Sequence, residues 1–439
     1  MRIILYHPKT DHERNYKFFW IPYSLLTIAS ICVAEGYQVN IIDENAQLKP
    51  FDNNELSQLL QDALCVGVSS MTGHQIANGL EFSKIVREIN PNIPIVWGGA
   101  HPTLFPKECL ESPLIDFVIR GQGESTFRKL INAISSSSRL KPYLIPGVCE
   151  KMENQFFITE TPSLEDKNLF PSFPWDTVDV EFYIRNDSGI SNRVINYVSS
   201  QGCPYGCGFC SEVALHKRKW TAFSAERVLA DAKLLVNRFN VNGIKFYDAN
   251  FFVDLKRVIT IAQGLKTYGL SWAASSHPNS LLQLRTPDWN LLSASGCKRL
   301  LIGLESGSES ILKLIKKQYS VQNTLILAKK LSDANITGSF TFVVGFPNSP
   351  DPDEVSKTIE LGKIIRHENP NHEVKIHFYA PYPGTPLWET ALSAGFVAPK
   401  TLDNWSKYDY YQIQTPWLQH GLEPLVEKFN KENCPYVQL

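Results

Sequence analysis

At 439 residues the chain exceeds what one ordinary core organises and points to two or three domains. Hydrophobic residues make up 43% and charged ones 20%, a balance that excludes wholesale disorder. With 43 Lys+Arg against 44 Asp+Glu the formal net charge is −1, so there is no basic field and no nucleic-acid partner is expected. No run approaches the ~18 consecutive apolar residues of a membrane span. The opening Met1–Tyr6 runs into His7-Pro8-Lys9-Thr10 without a signal-peptide core, so a soluble, cytoplasmic protein is the expectation.

The first ~135 residues alternate strand-like and helix-like runs, the rhythm of a doubly wound parallel sheet. The apolar runs Arg2–His7, Gln38–Asp43, Leu64–Ser69, Ile93–Trp97 and Phe117–Arg120 read as strands. Helical segments fall at Ser24–Glu35, stopped by Gly36, at Glu55–Ala63, and at Gln75–Ile89, ended by Pro91. Three strands run into polar or glycine-rich loops: Ser69-Ser70-Met71-Thr72-Gly73, Gly98-Gly99-Ala100-His101-Pro102 and Gly121-Gln122-Gly123-Glu124. Ligands of open parallel sheets bind outside the carboxyl ends of the strands. One such loop is an ordinary tight turn; three on the same edge point to a ligand site.

Ser135–Ser138 is a polar break, Tyr143–Thr161 reads as a β-hairpin, and Phe170–Trp175 as an extended connector. From Arg193 a second alternation begins. Its strand candidates are Val194–Ser199, Gly243–Asp248, Leu270–Ser275, Arg299–Glu305, Gly338–Gly345 and Val374–Tyr379. Helices fill the gaps at Ser224–Phe239, Asp254–Tyr268, Pro287–Ala294, Ser308–Lys316, Val321–Asn335 and Asp353–His367. Six β/α repeats fall short of the eight of a closed barrel, which predicts an incomplete one. The expected domains are residues 1–138, a linker with a hairpin at 139–190, a partial barrel at 191–390, and a cap or substrate-facing extension at 391–439. That last stretch is rich in aromatics (Trp405, Tyr408, Tyr410, Tyr411, Trp417), which helix packing explains equally well.

Nine cysteines without a secretory signal argue against a disulfide framework. Cys32, Cys65, Cys109, Cys149, Cys297 and Cys434 are dispersed, most of them in apolar runs where a thiol acts as a small hydrophobe. Cys203, Cys207 and Cys210 crowd into one loop, Gly202-Cys203-Pro204-Tyr205-Gly206-Cys207-Gly208-Phe209-Cys210, with C-x3-C-x2-C spacing. Three thiolates this close can converge on one metal centre. Structural zinc takes four ligands, and no fourth Cys or His stands at zinc spacing; His216 lies beside the basic run Lys217-Arg218-Lys219. Iron–sulfur clusters held by protein alone take four cysteines, so three leave one iron open for chemistry.

Spacing and position together resemble the radical S-adenosylmethionine (SAM) superfamily, marked by this loop after the first barrel strand. The resemblance implies that Cys203, Cys207 and Cys210 hold a [4Fe–4S] cluster whose fourth iron is chelated by SAM. It implies SAM contacts from Phe209, Asp248, Ser275, Glu305, Ser306 and Gly345. The front domain resembles the cobalamin-binding branch of that superfamily, through Gly98-Gly99-Ala100-His101-Pro102-Thr103 and Arg120-Gly121-Gln122-Gly123-Glu124. Cobalamin contacts are then implied for Ser69, Ser70, Met71, Thr72, Gly98, Gly99, His101, Pro102, Gly121, Gly123 and Glu124. Asp-x-His-x-x-Gly, the run that supplies a histidine to cobalt in other cobalamin domains, is absent: Asp11-His12 lacks the spacing and His74 lacks the aspartate. His7 and His101 are the nearest alternatives, and neither is expected to ligate.

The implied architecture is α/β, a flavodoxin-like cobalamin domain followed by a partial (β/α)6 barrel and a short extension. The implied reaction is C-methylation at an unactivated carbon, the deoxyadenosyl radical abstracting hydrogen and methylcobalamin delivering the methyl group. Cyclisation or ring rearrangement without methyl transfer is the closest alternative, and a non-catalytic corrinoid or metal sensor the alternative of another class. A small molecule or peptide is the expected substrate, and a flavodoxin or ferredoxin the expected electron donor.

Overall fold

The structure, a computed structural model, describes residues 1–10, 20–46, 52–135, 141–410, 415–418 and 421–434. Asp11-His12, the segment 136–138 of the expected polar break, and Tyr411 lie outside the described residues. Two compact units form: Met1–Tyr183 with Ala398–Ile413, and Ile184–Val397 with Gln414–Leu439.

In the first unit the order is β1 (Arg2–His7), α1 (Tyr23–Ala34), β2 (Gln38–Asp43), α2 (Asn53–Leu60), β3 (Ala63–Ser69), α3 (His74–Ile89) and β4 (Ile95–Gly98). There follow α4 (Ala100–Leu104), α5 (Pro106–Glu111), β5 (Phe117–Ile119), α6 (Glu124–Ser135), β6 (Val148–Met152) and β7 (Gln155–Phe157). The sheet runs β2-β1-β3-β4-β5-β6-β7, parallel as far as β5, which is the doubly wound flavodoxin-like order. Both faces are covered, so the strands are near-continuous apolar runs. On one face Leu25 and Ala29 of α1 and Phe127, Leu130 and Ile131 of α6 pack with Ile3, Leu5 and Val96. On the other, Gly79 of α3 makes room for Trp97, whose ring lies 3.0 Å from where a Cβ would sit, and Trp97 donates to Ser83 at 3.2 Å.

The β6–β7 hairpin extends this sheet antiparallel, turning at Glu153-Asn154 with both residues left-handed, the geometry that suits the strand twist. Phe170–Trp175 is flanked by single 3-10 turns at Lys167–Leu169 and Trp175–Thr177.

In the second unit β8 (Arg185–Asp187), β9 (Ser191–Tyr197), β10 (Ser200–Gly202), α7 (Ser211–His216), β11 (Trp220–Ala222) and α8 (Ala225–Phe239) come first. Then follow β12 (Gly243–Phe246), α9 (Leu255–Thr267), β13 (Ser271–Ser276), α10 (Pro278–Leu282), α11 (Thr286–Ala294), β14 (Cys297–Glu305) and α12 (Glu309–Leu314). The order ends α13 (Val321–Asp333), β15 (Thr337–Val344), α14 (Glu354–Glu368), β16 (Glu373–Phe378), α15 (Trp388–Ser393), α16 (Leu402–Ser406) and α17 (Leu422–Asn433), of which α16 belongs to the first unit.

Six parallel strands, β9 and β12 to β16 in chain order, form the curled sheet of a partial barrel, with antiparallel β8 outside β9. Helices cover the outer face, with Ser224 and Asp254 capping α8 and α9 by accepting from Arg227 N and Arg257 N. The first strand begins earlier than the apolar run suggests, at Ser191, because β8 folds back on it. At the other edge the Asn430 amide of α17 accepts from Ile376 N and donates to Ile376 O, each at 2.8 Å, imitating a neighbouring strand.

Candidate active site

The cysteine loop leaves the first barrel strand between the two halves of a small ribbon, β10 paired antiparallel with β11. Its backbone is fixed at several points: Gly208 N donates to Ile315 O at 2.7 Å, Leu387 N donates to Gly208 O at 2.9 Å, and Arg218 Nε donates to Pro204 O at 3.1 Å. Cys207 is buried, and Cys203 and Cys210 are partly so. Burial raises all three thiols, Cys210 to about 12, while the charge of Lys317 works in the opposite direction on each. Among the described residues no three His, Cys, Asp or Glu side chains converge as around a single ion. A four-iron cluster asks for something else, one thiolate on each of three irons.

Lys317 was not singled out by its sequence. It sits between two left-handed residues, Lys316 (φ 55) and Gln318 (φ 60), and this double reversal turns its ammonium inward, where the residue is 4% exposed. Nζ meets Glu305 Oε1 at 2.8 Å. Burial lowers the Lys317 pKa, but the Glu305 carboxylate and then the Cys207 thiol outweigh it and hold the pKa above the ordinary value. Glu305 itself is left-handed (φ 72) where the β14–β15 register slips, a backbone state a non-glycine residue adopts only under constraint.

The other expected SAM contacts divide. The Phe209 ring lies 5.9 Å from Phe346, just beyond β15, and Phe346 lies 5.0 Å from Tyr379, just beyond β16, so loop and strand ends meet through aromatic contacts. Ser275 is half-buried on β13. Asp248 is 1% exposed and committed to its own chain: it accepts from Ser199 Oγ at 2.8 Å, from Ser199 N at 3.3 Å and from Ser200 Oγ. It anchors the segment entering the cysteine loop, not an open ligand position. Ser306 is fully buried and its hydroxyl accepts from Ser308 N at 3.1 Å, a turn-forming role.

Gly345 (φ 76) is held on both sides, donating N–H to Glu354 Oε1 at 2.9 Å and accepting from Trp417 Nε1 at 2.9 Å. Burial raises Glu354 from 4.5 to about 7. A carboxyl whose folded pKa is raised stabilises the fold below its unfolded pKa and loses that contribution as pH climbs to the folded value. The stability of this unit is therefore expected to fall by up to about 2–3 kcal/mol between pH 4.5 and 7 on account of Glu354. Glu354→Gln should flatten that decline in melting temperatures taken across the interval.

His277 and Tyr205 also join the site. Their rings stack at 3.6 Å and 9°, tying the cysteine loop to the end of β13. Burial, then the charge of Lys317, lowers His277 to about 2, so the ring is neutral. Its Nδ1 accepts from Asn279 N at 3.3 Å, which places the proton on Nε2, and Nε2 is buried with no partner among the described residues.

In the first unit the three small-residue loops join into one edge. Ser70 N donates to Gly98 O at 2.8 Å, His101 N to Ser70 O at 3.2 Å, and Gly121 N to Thr103 Oγ1 at 2.9 Å. Gly99 (φ 104) brings the chain so close that a Cβ would lie 2.6 Å from Ser70 O, whereas one on Gly98 would meet nothing nearer than 3.9 Å and so borders open space. Ser69 and Gly123 are partly exposed, Met71 is 55% exposed, and Thr72, Pro102 and Glu124 are buried.

His7 is engaged at both nitrogens, with Asp43 at 2.9 Å and Gln75 at 3.3 Å. His101 is fully buried, its Nδ1 at 3.1 Å from Thr72 Oγ1 and its Nε2 without a described partner; burial lowers it to about 3. Trp405 of α16 covers it, with centroids 5.7 Å apart, and packs on Phe105 at 4.9 Å. Trp405→Ala should cost this unit about 3–5 kcal/mol in urea unfolding, because the indole is 1% exposed.

A B12 binding domain model matches residues 14–131 and a radical SAM superfamily model residues 197–362. An uncharacterised methyltransferase of Pyrococcus horikoshii is 30% identical over 93% of this chain and 86% of its own length. The anaerobic magnesium-protoporphyrin IX monomethyl ester cyclase of Synechocystis sp. is 26% identical over 82% of this chain and 72% of its own. Among solved structures, the radical SAM methyltransferase TsrM of Kitasatospora setae, with cobalamin and a [4Fe-4S] cluster bound, superposes with TM-score 0.71 at 16% identity, covering 89% of this chain and 74% of that one. Among the described residues no helix is long and apolar enough to cross a membrane.

Proposed function

Because the chain belongs to the cobalamin-binding radical SAM enzymes, we propose that it transfers a methyl group from SAM, by way of cobalamin, to an unactivated carbon of a small molecule. The observation that carries this reading is the pairing of the pinned three-cysteine loop with a buried Lys317–Glu305 pair on the same barrel face. The family's cofactors are a [4Fe–4S] cluster, SAM and cobalamin, and the residues present fit them.

Cys203, Cys207 and Cys210 would hold the cluster. Phe209, Glu305 and Gly345 would border SAM, with Lys317 offsetting the negative charge of thiolates and carboxylate and Ser275 lining the lumen. Asp248 and Ser306 would act one step back, shaping the loops. The orphaned His277 Nε2–H is a buried donor of the kind a bound ligand satisfies.

Cobalamin would lie along residues 69–72, 98–102 and 121–124, where Gly98 leaves room and His101 and Gln122 hold buried nitrogens without described partners. His101 is closed in by Trp405 and His7 is committed to Asp43, so neither imidazole would reach cobalt. Residues 1–138 would form the cobalamin domain and 191–390 the barrel. When bound, the cofactors supply a deoxyadenosyl radical that abstracts hydrogen and a methyl group that replaces it. The protein's part is to hold the cluster loop rigid, keep charge balanced in a buried site and exclude water. A flavodoxin or ferredoxin would bring the electron.

The test is anaerobic incubation of the reconstituted enzyme with methyl-labelled SAM, a reductant and cell extract. Label in a product heavier by one methylene supports the reading. Loss of hydrogens without label points to the cyclase chemistry of the Synechocystis relative instead. Gly99→Ala, which forces a Cβ against Ser70 O, should lower retained corrinoid at least about tenfold after gel filtration.

A further inference from the structure

The partial barrel is lined by charge, and its charges are unevenly paired. Low in the lumen Arg299 meets Asp187 at 3.2 Å and Glu373 at 2.9 Å, with Lys245 3.9 Å from Asp187. Higher up Lys317 takes Glu305. Each of these carboxylates is matched by a cation.

Lys375 is not. It lies on β16, whose outward residue Val374 is fully buried, its Cγ1 3.1 Å from where a Cβ on Gly362 of α14 would sit. Alternation then turns Lys375, His377 and, just past the strand end, Tyr379 to the opposite face, toward the lumen. Lys375 and His377 keep partial exposure on this edge strand of the sheet. Neither makes a hydrogen bond or ion pair with a described residue. The Tyr379 hydroxyl, on a residue only 2% exposed, is buried with no partner among the described residues. Burial draws the Lys375 ammonium below its ordinary pKa, with the Cys434 thiol at the end of α17 working in the opposite direction.

Register sets Lys375 opposite Thr341 and, one strand on, Gly303. Lys317 Nζ stands 3.4 Å from where a Cβ on Gly303 would sit. Two strand spacings, about 10 Å, therefore separate this lysine from the Lys317–Glu305 site. A ligand spanning that gap would hold a charged end on β16 and present a carbon several bonds away.

We propose that the substrate carries an anionic group, a carboxylate or a phosphate, which seats on Lys375 in the barrel lumen. This rests on the barrel being the site of methyl transfer. A carboxylate or phosphate oxygen accepts from the ammonium, and in a partly desolvated lumen such charge-assisted bonds are the strong ones.

The test uses the reconstituted holoenzyme, reductant and methyl-labelled SAM, with a small-molecule cell extract divided on an anion exchanger. Label is expected in a product from the retained fraction. Phosphatase treatment that moves that product to the unretained fraction identifies phosphate, and resistance identifies carboxylate. Lys375→Gln should raise the KM for the retained substrate at least about tenfold, and Lys375→Arg should recover most of it. Iron and corrinoid content and melting temperature show whether each variant is folded and loaded. Label only in unretained, uncharged products, or an unchanged KM in a loaded Lys375→Gln enzyme, overturns the proposal. Absence of label in every fraction, with SAM still cleaved, overturns the methyl-transfer reading and this proposal with it.

Discussion

Replacing any one of Cys203, Cys207 and Cys210 by alanine leaves a protein that does not assemble its cluster and cleaves SAM at least about 1,000-fold more slowly. The effect is large because no other described thiol sits in that loop to take over, and a cluster bound through two protein sulfurs loses both affinity and its fixed open corner. Iron and sulfide analysis and the visible absorbance of anaerobically reconstituted protein measure assembly; 5′-deoxyadenosine release measures cleavage. Cys434→Ser serves as the comparison, since Cys434 is also partly exposed but lies at the end of α17. Its iron content should match that of the unaltered protein. The loop itself should keep its shape, because the bonds at Gly208 N and O and from Arg218 Nε to Pro204 O hold it without any cysteine side chain. A normal far-UV spectrum with no cluster absorbance is therefore the expected signature.

What a chain reveals locally differs from what it reveals at a distance. The cysteine triplet was legible because its three ligands and wrapping glycines lie within eight residues. The strands of the first sheet were legible because parallel strands covered on both faces become unbroken apolar runs, as in Ile3–Tyr6, and those of the barrel because alternate residues facing the helices are apolar, as in Leu300, Ile302 and Leu304; boundaries moved by only a few residues. Glu305 and the three glycine-rich loops were legible as strand ends.

Lys317 was not, because Lys316-Lys317-Gln318 after a helix looks like a solvated tail. Only the two left-handed residues flanking it turn one lysine inward, and left-handed conformations at Lys and Gln leave no mark in composition. The ribbon β10–β11 and the edge strand β8 are three residues each, too short for any periodic signal. The return of α16 to the first unit, with Trp405 over His101, is a contact more than 300 residues apart in the chain. Asp248 was legible as a strand-end acid, but its partners Ser199 and Ser200 decide what it does, and those came only with the fold.

Lys317→Met should be the most destabilising single change on this face, costing about 3–5 kcal/mol in urea unfolding. The loss comes less from the attraction surrendered than from what remains: Glu305, 6% exposed, keeps a carboxylate with no cation to meet it. It follows that Lys317→Met/Glu305→Leu, which removes both charges and fills the space with hydrocarbon, should recover most of that stability. Its turnover should nonetheless stay at least about 100-fold below normal, because the charge balance around the thiolates is gone and the carboxylate at the end of β14 with it. If the double variant unfolds as readily as the single one, the pair is held by packing and not by charge. If it regains turnover along with stability, the two residues serve only the fold. Stability restored without activity is the outcome that assigns the pair to the chemistry, since a buried ion pair is a poor stabiliser against hydrophobic replacement. The left-handed backbone at Glu305 sharpens the point: the chain accepts a strained residue and two buried charges where a leucine and a methionine would pack.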